Sequence, residues 1–188
     1  LDKQFRKRVI ADACNPFHLS DGINKSKDSS MLGWFYYISR SYMHSIQNFQ
    51  ESLARQENFE DYNGLGRAYY SANNYELAIK SLTRSIELER HWNSFYVLGK
   101  TFLKSGQFKS ATECFESSLE MKPSWHSYNG LGFSMLKCGD FYGAIDAFKN
   151  SLNTFENWES FKGLGLALMN ISSYSDAIQI FQYSLEYC

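Results

Sequence analysis

The sequence predicts an all-α protein made of antiparallel helix hairpins stacked in an array. Three observations carry that prediction. A Leu-Gly pair returns every 33 residues, at Leu32-Gly33, Leu65-Gly66, Leu98-Gly99, Leu131-Gly132 and Leu164-Gly165. Apolar residues around each pair recur at helical spacing. A short polar or glycine-containing break then divides each copy in two. A fixed step of this size marks repeat architectures. Five copies result, near 26–58, 59–91, 92–124, 125–157 and 158–188, with residues 1–25 outside the register.

Each element follows from local chemistry. In the N-terminal segment, "FRKRVIADAC" at 5–14 fits a short helix, and Pro16 and Gly22 place a loop after it. The basic residues Lys3, Arg6, Lys7 and Arg8 read as a solvated face. In the third copy, Phe95, Leu98 and Phe102 form the stripe of a first helix, and Phe108, Ala111, Phe115 and Leu119 that of a second. The breaks are "SANN" at 71–74, "KSGQ" at 104–107, "KCGD" at 137–140 and "NISS" at 170–173. Asn58, Ser124 and Asn157 are suited to cap first helices, and Asn74, Asp140 and Ser173 second helices; Gln107 is a poor cap. Helices of about 12–14 residues are marginal alone, so the hairpins must bury their apolar sides against one another.

The glycines are expected to serve packing. Gly66, Gly99, Gly132 and Gly165 would let the second helix approach, with Ala78, Ala111, Ala144 and Ala177 opposite and Phe or Leu four residues later filling the space beside them. Mid-helix glycine costs about 1 kcal/mol against alanine, so its recurrence implies a steric need. The Gly-x-Gly of "YNGLG" also admits a phosphate-loop reading. That reading requires a strand before the loop; the flanks here are helical, and Val97 and Met31 break the pattern.

Composition narrows the function. The net charge of −1 gives no basic signal for nucleic acid. No apolar run is long enough for a membrane span, and nothing at the start reads as a signal peptide. The first residue is Leu, which suggests a fragment or a processed chain. Cys14, Cys114, Cys138 and Cys188 have no metal-ligand spacing, and His18, His44, His91 and His126 form no close pair. No catalytic set, metal site or cofactor site is expected, and a reducing, cytoplasmic setting is. A row of Phe59, Trp92, Trp125 and Trp158, again 33 apart, is expected to cover the joint with the preceding helix; an exposed ligand-facing row is the alternative.

The copies resemble tetratricopeptide repeats. The third matches that family's pattern as Phe95, Leu98-Gly99, Phe102, Ala111, Phe115, Ser118 and Pro123, and the fourth as Tyr128, Leu131-Gly132, Met135, Ala144, Phe148 and Ser151. Departures are the 33-residue step, where 34 is usual, and Ser at the late small position, at 52, 85, 118, 151 and 184. The first copy is weakest, with Ser29 for the aromatic and Ser45 for the alanine. The resemblance implies a right-handed superhelical α-solenoid with an inner groove. It places in that groove Trp34 and Tyr37; Asn63, Arg67 and Tyr70; Tyr96, Lys100 and Lys104; Asn129, Phe133 and Lys137; and Lys162. The basic excess, with asparagines for peptide amides and rings for side chains, points to an extended or helical, acidic protein segment as ligand. The competing explanation is that these lysines form an ordinary solvated face.

Two function classes remain. One is a protein–protein interaction scaffold; the other is the repeat portion of a larger enzyme such as a transferase, selecting substrates or assembling subunits. The full reading frame or a co-purified partner separates them. Ile178, Ile180, Phe181, Tyr183 and Leu185 in the last helix lead us to expect either a further segment beyond it or self-association there.

Overall fold

The computed structural model describes residues 25–185, all of whose regular structure is helical. Ten helices pair into five hairpins: α1 (Lys25–Ile38) with α2 (Tyr42–Leu53), α3 (Phe59–Ser71) with α4 (Tyr75–Leu88), α5 (Trp92–Lys104) with α6 (Phe108–Met121), α7 (Trp125–Cys138) with α8 (Phe141–Thr154), and α9 (Trp158–Asn170) with α10 (Tyr174–Leu185). They form two compact units, divided between Arg90 and His91. The helix expected at 5–14 and its following loop lie outside the described residues.

Every hairpin turns the same way. Arg40, Asn73, Gly106, Gly139 and Ser172, again 33 residues apart, each adopt a left-handed φ between 60° and 85°. The next N–H reaches back five residues: Ser41 to Tyr36 O (2.8 Å), Asn74 to Tyr69 O (2.9 Å), Gln107 to Phe102 O (2.9 Å), Asp140 to Met135 O (3.0 Å) and Ser173 to Leu168 O (3.0 Å). These bonds satisfy carbonyls left open at a helix end and reverse the chain at once. Asn58, Asn74, Ser124, Asp140 and Asn157 cap the following helices through their side chains, as their chemistry predicts. Gln107 makes no side-chain cap bond. The Ser173 hydroxyl donates instead to the Asp176 carboxylate.

Inside the units, an aromatic ring joins three helices at three places, once in the first and twice in the second. Phe49, Phe115 and Phe148 are wholly buried. A Cβ built on Gly132, in the same hairpin as Phe148, would stand 2.7 Å from its ring; one on Gly163, in the next hairpin, would overlap the ring as well. Phe115 lies in the same way between Gly99 and Gly130, and Phe49 between Gly33 and Gly64. A side chain at the glycine would therefore meet the ring first; the sequence led us to expect the alanine of the register opposite, with the ring beside it. The first glycine of Gly-x-Gly has a task of its own, receiving the ring of the preceding hairpin.

The late serines form a second seam. Ser85, Ser118 and Ser151 are buried and donate to the carbonyls of Phe59, Trp92 and Trp125, at 2.8, 3.0 and 2.9 Å. Ser118 also meets Ser127 (3.0 Å), and Ser151 meets Ser160 (2.7 Å), in the next hairpin. In the first unit Asp61 holds that place. Its buried carboxylate accepts from Ser30, from Ser52 (2.6 Å) and from Asn58 (2.9 Å). Buried polar groups keep their hydrogen bonds, so this seam fixes register where the apolar seam alone would permit sliding.

Two changes test these devices. Gly99→Val should lower stability by about 1–3 kcal/mol in urea unfolding, because Phe115 has little room to move. Ser172→Gly should raise it by about 0.5–1 kcal/mol by relieving a left-handed residue that carries a side chain.

Candidate functional site

In the second unit, α5, α7 and α9 place helical stripes beside one another. Residues 96, 100, 103 and 104 lie on α5, 126, 129, 130 and 133 on α7, and 158, 159 and 162 on α9; together they border a cleft of about 360 Å³. The spacings of three, four and seven residues put each set on one face of its helix. Phe115 of α6 closes the floor. The glycines set the depth: with Cβ atoms at 130 and 163 the rings beneath would be pushed aside.

The lining has recognisable chemistry. Lys100, Lys104 and Lys162 supply cations and Glu159 one carboxylate. The Lys100 ammonium lies 5.6 Å from the Tyr96 ring centroid, and that of Lys162 lies 5.7 Å from Trp158. Phe133 stands edge-on to Phe148 at 5.0 Å. Asn129 is 94% buried, as its exposure is 6%. Its amide donates to Glu159 Oε2 at 3.2 Å, while its buried carbonyl oxygen has no hydrogen-bond partner. Such an acceptor is costly to leave unmet.

His126 lies at the rim, its ring stacked on Trp125 at 3.6 Å and edge-on to Tyr96 at 6.0 Å. Desolvation against these rings, followed by the nearby Lys100 charge, holds its pKa below the ordinary value; Glu159 acts the other way. The imidazole is still exposed to solvent.

The first unit treats its candidates differently. Trp34 is edge-on to Phe49 at 5.2 Å and to Tyr37 at 6.0 Å. The Asn63 carbonyl accepts from Arg67 Nε at 3.0 Å, so this asparagine is occupied where Asn129 is not. Burial, then the neighbours Tyr75 and Tyr37, raises the Tyr70 pKa. A larger hollow of about 610 Å³ lies between α2 and α4 over Tyr62, Leu65 and Tyr69. Of its two cations, Lys80 and Arg84, the second pairs with Glu57 at 2.9 Å and Glu87 at 3.1 Å.

Residues 62–91 and 93–124 match the tetratricopeptide repeat family. The fold extends the likeness beyond them. MamA from Desulfovibrio magneticus RS-1 superposes with a TM-score of 0.82 at 18% identity, over 87% of this chain and 95% of that one. MamA of MSR-1 gives 0.76 at 20% identity, over 87% and 97%. At such identities the likeness is one of fold. No curated protein matches in sequence.

Of the residues expected to face a tetratricopeptide groove, Tyr96, Lys100, Lys104, Asn129, Phe133 and Lys162 border the cleft. Lys137 is exposed in the last turn of α7 and is not among the lining residues. Trp34, Tyr37, Asn63, Arg67 and Tyr70 belong to the first unit. Trp158 and His126 border the cleft too; the sequence had the tryptophan covering a joint, with a ligand-facing row as the alternative, and gave the histidine no site. The tryptophan row is uneven: Trp92 lies beneath the Lys122 ammonium at 4.4 Å and Trp125 stacks on Phe155, whereas Trp158 is 46% exposed and borders the cleft. Its i,i+4 relation to Lys162 was the available signal.

Cys114 is buried, and burial together with the Glu113 charge pushes its thiol up to about 12, so it serves as packing. In an NMR titration His126 should ionise below the ordinary histidine range. Lys100→Gln should move it up, and Glu159→Gln should move it further down.

Proposed function

We propose that this protein is a non-catalytic scaffold and that the cleft between α5, α7 and α9 holds an extended or helical protein segment with an acidic side chain. The supporting observation is the Asn129 carbonyl, buried without a partner among three lysines. A backbone N–H of a bound segment would satisfy that oxygen, while the amide hydrogens stay on Glu159. Lys100, Lys104 and Lys162 would pair with carboxylates, and Tyr96, Phe133 and Trp158 would cover apolar side chains. Amide, ammonium and ring groups serve recognition, so the role assigned is binding. In the first unit, Trp34, Tyr37 and Tyr70 would offer further ring surface, with Asn63 and Arg67 already joined to each other.

Among the described residues no helix is long and apolar enough to cross a membrane. The free thiols Cys114 and Cys138 suit a reducing, cytoplasmic setting. Self-association through α10 has a surface available, because Ile178, Tyr183 and Leu185 are exposed there.

Lys100→Glu should weaken an acidic peptide by about tenfold or more in a titration, with the melting temperature nearly unchanged. Equal affinity in wild type and variant would remove this cleft from the binding site. Asn129→Leu should also reduce affinity, and should do so equally for acidic and neutral peptides, because it removes the main-chain acceptor.

A further inference from the structure

Among the described residues that line the α5–α7–α9 cleft, His126 alone is of a type that changes charge near neutrality. Its place follows from the repeat. Glu60, Asn93, His126 and Glu159 share one register position, the second residue of α3, α5, α7 and α9. Neighbouring first helices therefore bring His126 and Glu159 to the same cleft.

The groups that face the imidazole come from three helices. From α5 come the Tyr96 ring, edge-on at 6.0 Å, and the Lys100 ammonium. From α9 comes the Glu159 carboxylate, and on α7 itself the Trp125 indole stacks on the ring at 3.6 Å. Lys104 and Lys162 complete the cleft's cations. In the free cleft this balance keeps the imidazole neutral at pH 7. Contact with the rings takes it partly out of water and Lys100 repels a proton, against the single carboxylate.

An acidic ligand reverses the balance. A carboxylate set against Lys100 cancels the charge that repels the proton and adds one that attracts it. Loss of water works the other way, but Trp125 and Tyr96 already impose much of it in the free cleft. Protonation also lays an imidazolium on the Trp125 face, a favourable cation–π pair. Ligand and proton are then linked. A histidine that becomes more basic on binding takes up a proton with the ligand, and the protonated cleft binds the ligand more tightly by the same factor.

We infer that the cleft draws a proton from solvent onto His126 as it takes its acidic segment, and holds that segment more tightly as the pH falls. This deepens the reading of the cleft as an acidic-segment site and rests on it. The sign is fixed by the chemistry. The gain is absent where the imidazole is neutral in both states, grows as the pH falls, and is complete where it is charged in both.

The test first obtains a ligand that occupies the cleft. A random dodecapeptide library is selected on the full chain at about pH 7.5, and acidic peptides are kept that fail to bind the Lys100→Glu protein. The affinity of the best is measured from about pH 7.5 down to about 5.5, where ligand carboxylates stay ionised. Wild type should bind at least about threefold more tightly at the lower end. His126→Gln should show a nearly flat profile. NMR supplies a readout that needs no variant: with saturating peptide, the His126 ring should titrate at higher pH than without it. If no acidic peptide depends on Lys100, the reading of the cleft fails and the inference falls with it. If such peptides bind but wild type is as insensitive to pH as His126→Gln, the inference alone is overturned. An equal pH dependence in the two proteins, or a His126 titration unmoved by peptide, overturns it likewise.

Discussion

A phenylalanine ring held between two glycines is the contact on which the fold depends. Phe49, Phe115 and Phe148 each sit at zero exposure where three helices converge. Neither neighbouring backbone could come so close with a methyl group in the way. The glycines forgo helix propensity at these places, and the close packing of a large apolar group offsets that cost. Distance between successive first helices is thereby set by a ring thickness rather than by long, flexible side chains.

That spacing produces the cleft. With Gly130 and Gly163 leaving room for the rings below, α7 and α9 hold Asn129, Phe133, Trp158, Glu159 and Lys162 side by side along the cleft. The serine seam prevents these stripes from slipping along one another. Binding groups and packing groups thus alternate on the same short helices, and a substitution in one set need not disturb the other.

Most of the fold was legible in the sequence because its causes are local and periodic. Leu-Gly pairs, cap residues and turn residues recur at one step, and each acts within a few residues of itself. The left-handed turns at Arg40 and Ser172 carry no such signal, since nothing in an arginine or serine announces a positive φ; only the register with Gly106 and Gly139 does. That the ring comes nearest to the glycine was less legible, because two small residues opposite each other look like the whole contact on paper, whereas the ring four residues on reaches across. Six of the twelve candidate groove residues border one cleft. For Trp158 the sequence left a joint cover and a ligand-facing side chain open, because the exposure of a helix-start aromatic depends on its neighbours: Lys122 and Phe155 shield Trp92 and Trp125 and leave Trp158 open.

The central claim concerns coupling between glycine and ring, and a double-mutant cycle on Gly163 and Phe148 measures it most directly. Urea unfolding of wild type, Gly163→Ala, Phe148→Leu and the double variant gives the interaction energy. If the ring and the backbone of α9 share one space, Gly163→Ala destabilises strongly beside Phe148 and much less beside leucine, with a coupling of about 1 kcal/mol or more. Additive effects, with alanine at 163 tolerated equally in both backgrounds, would contradict the account.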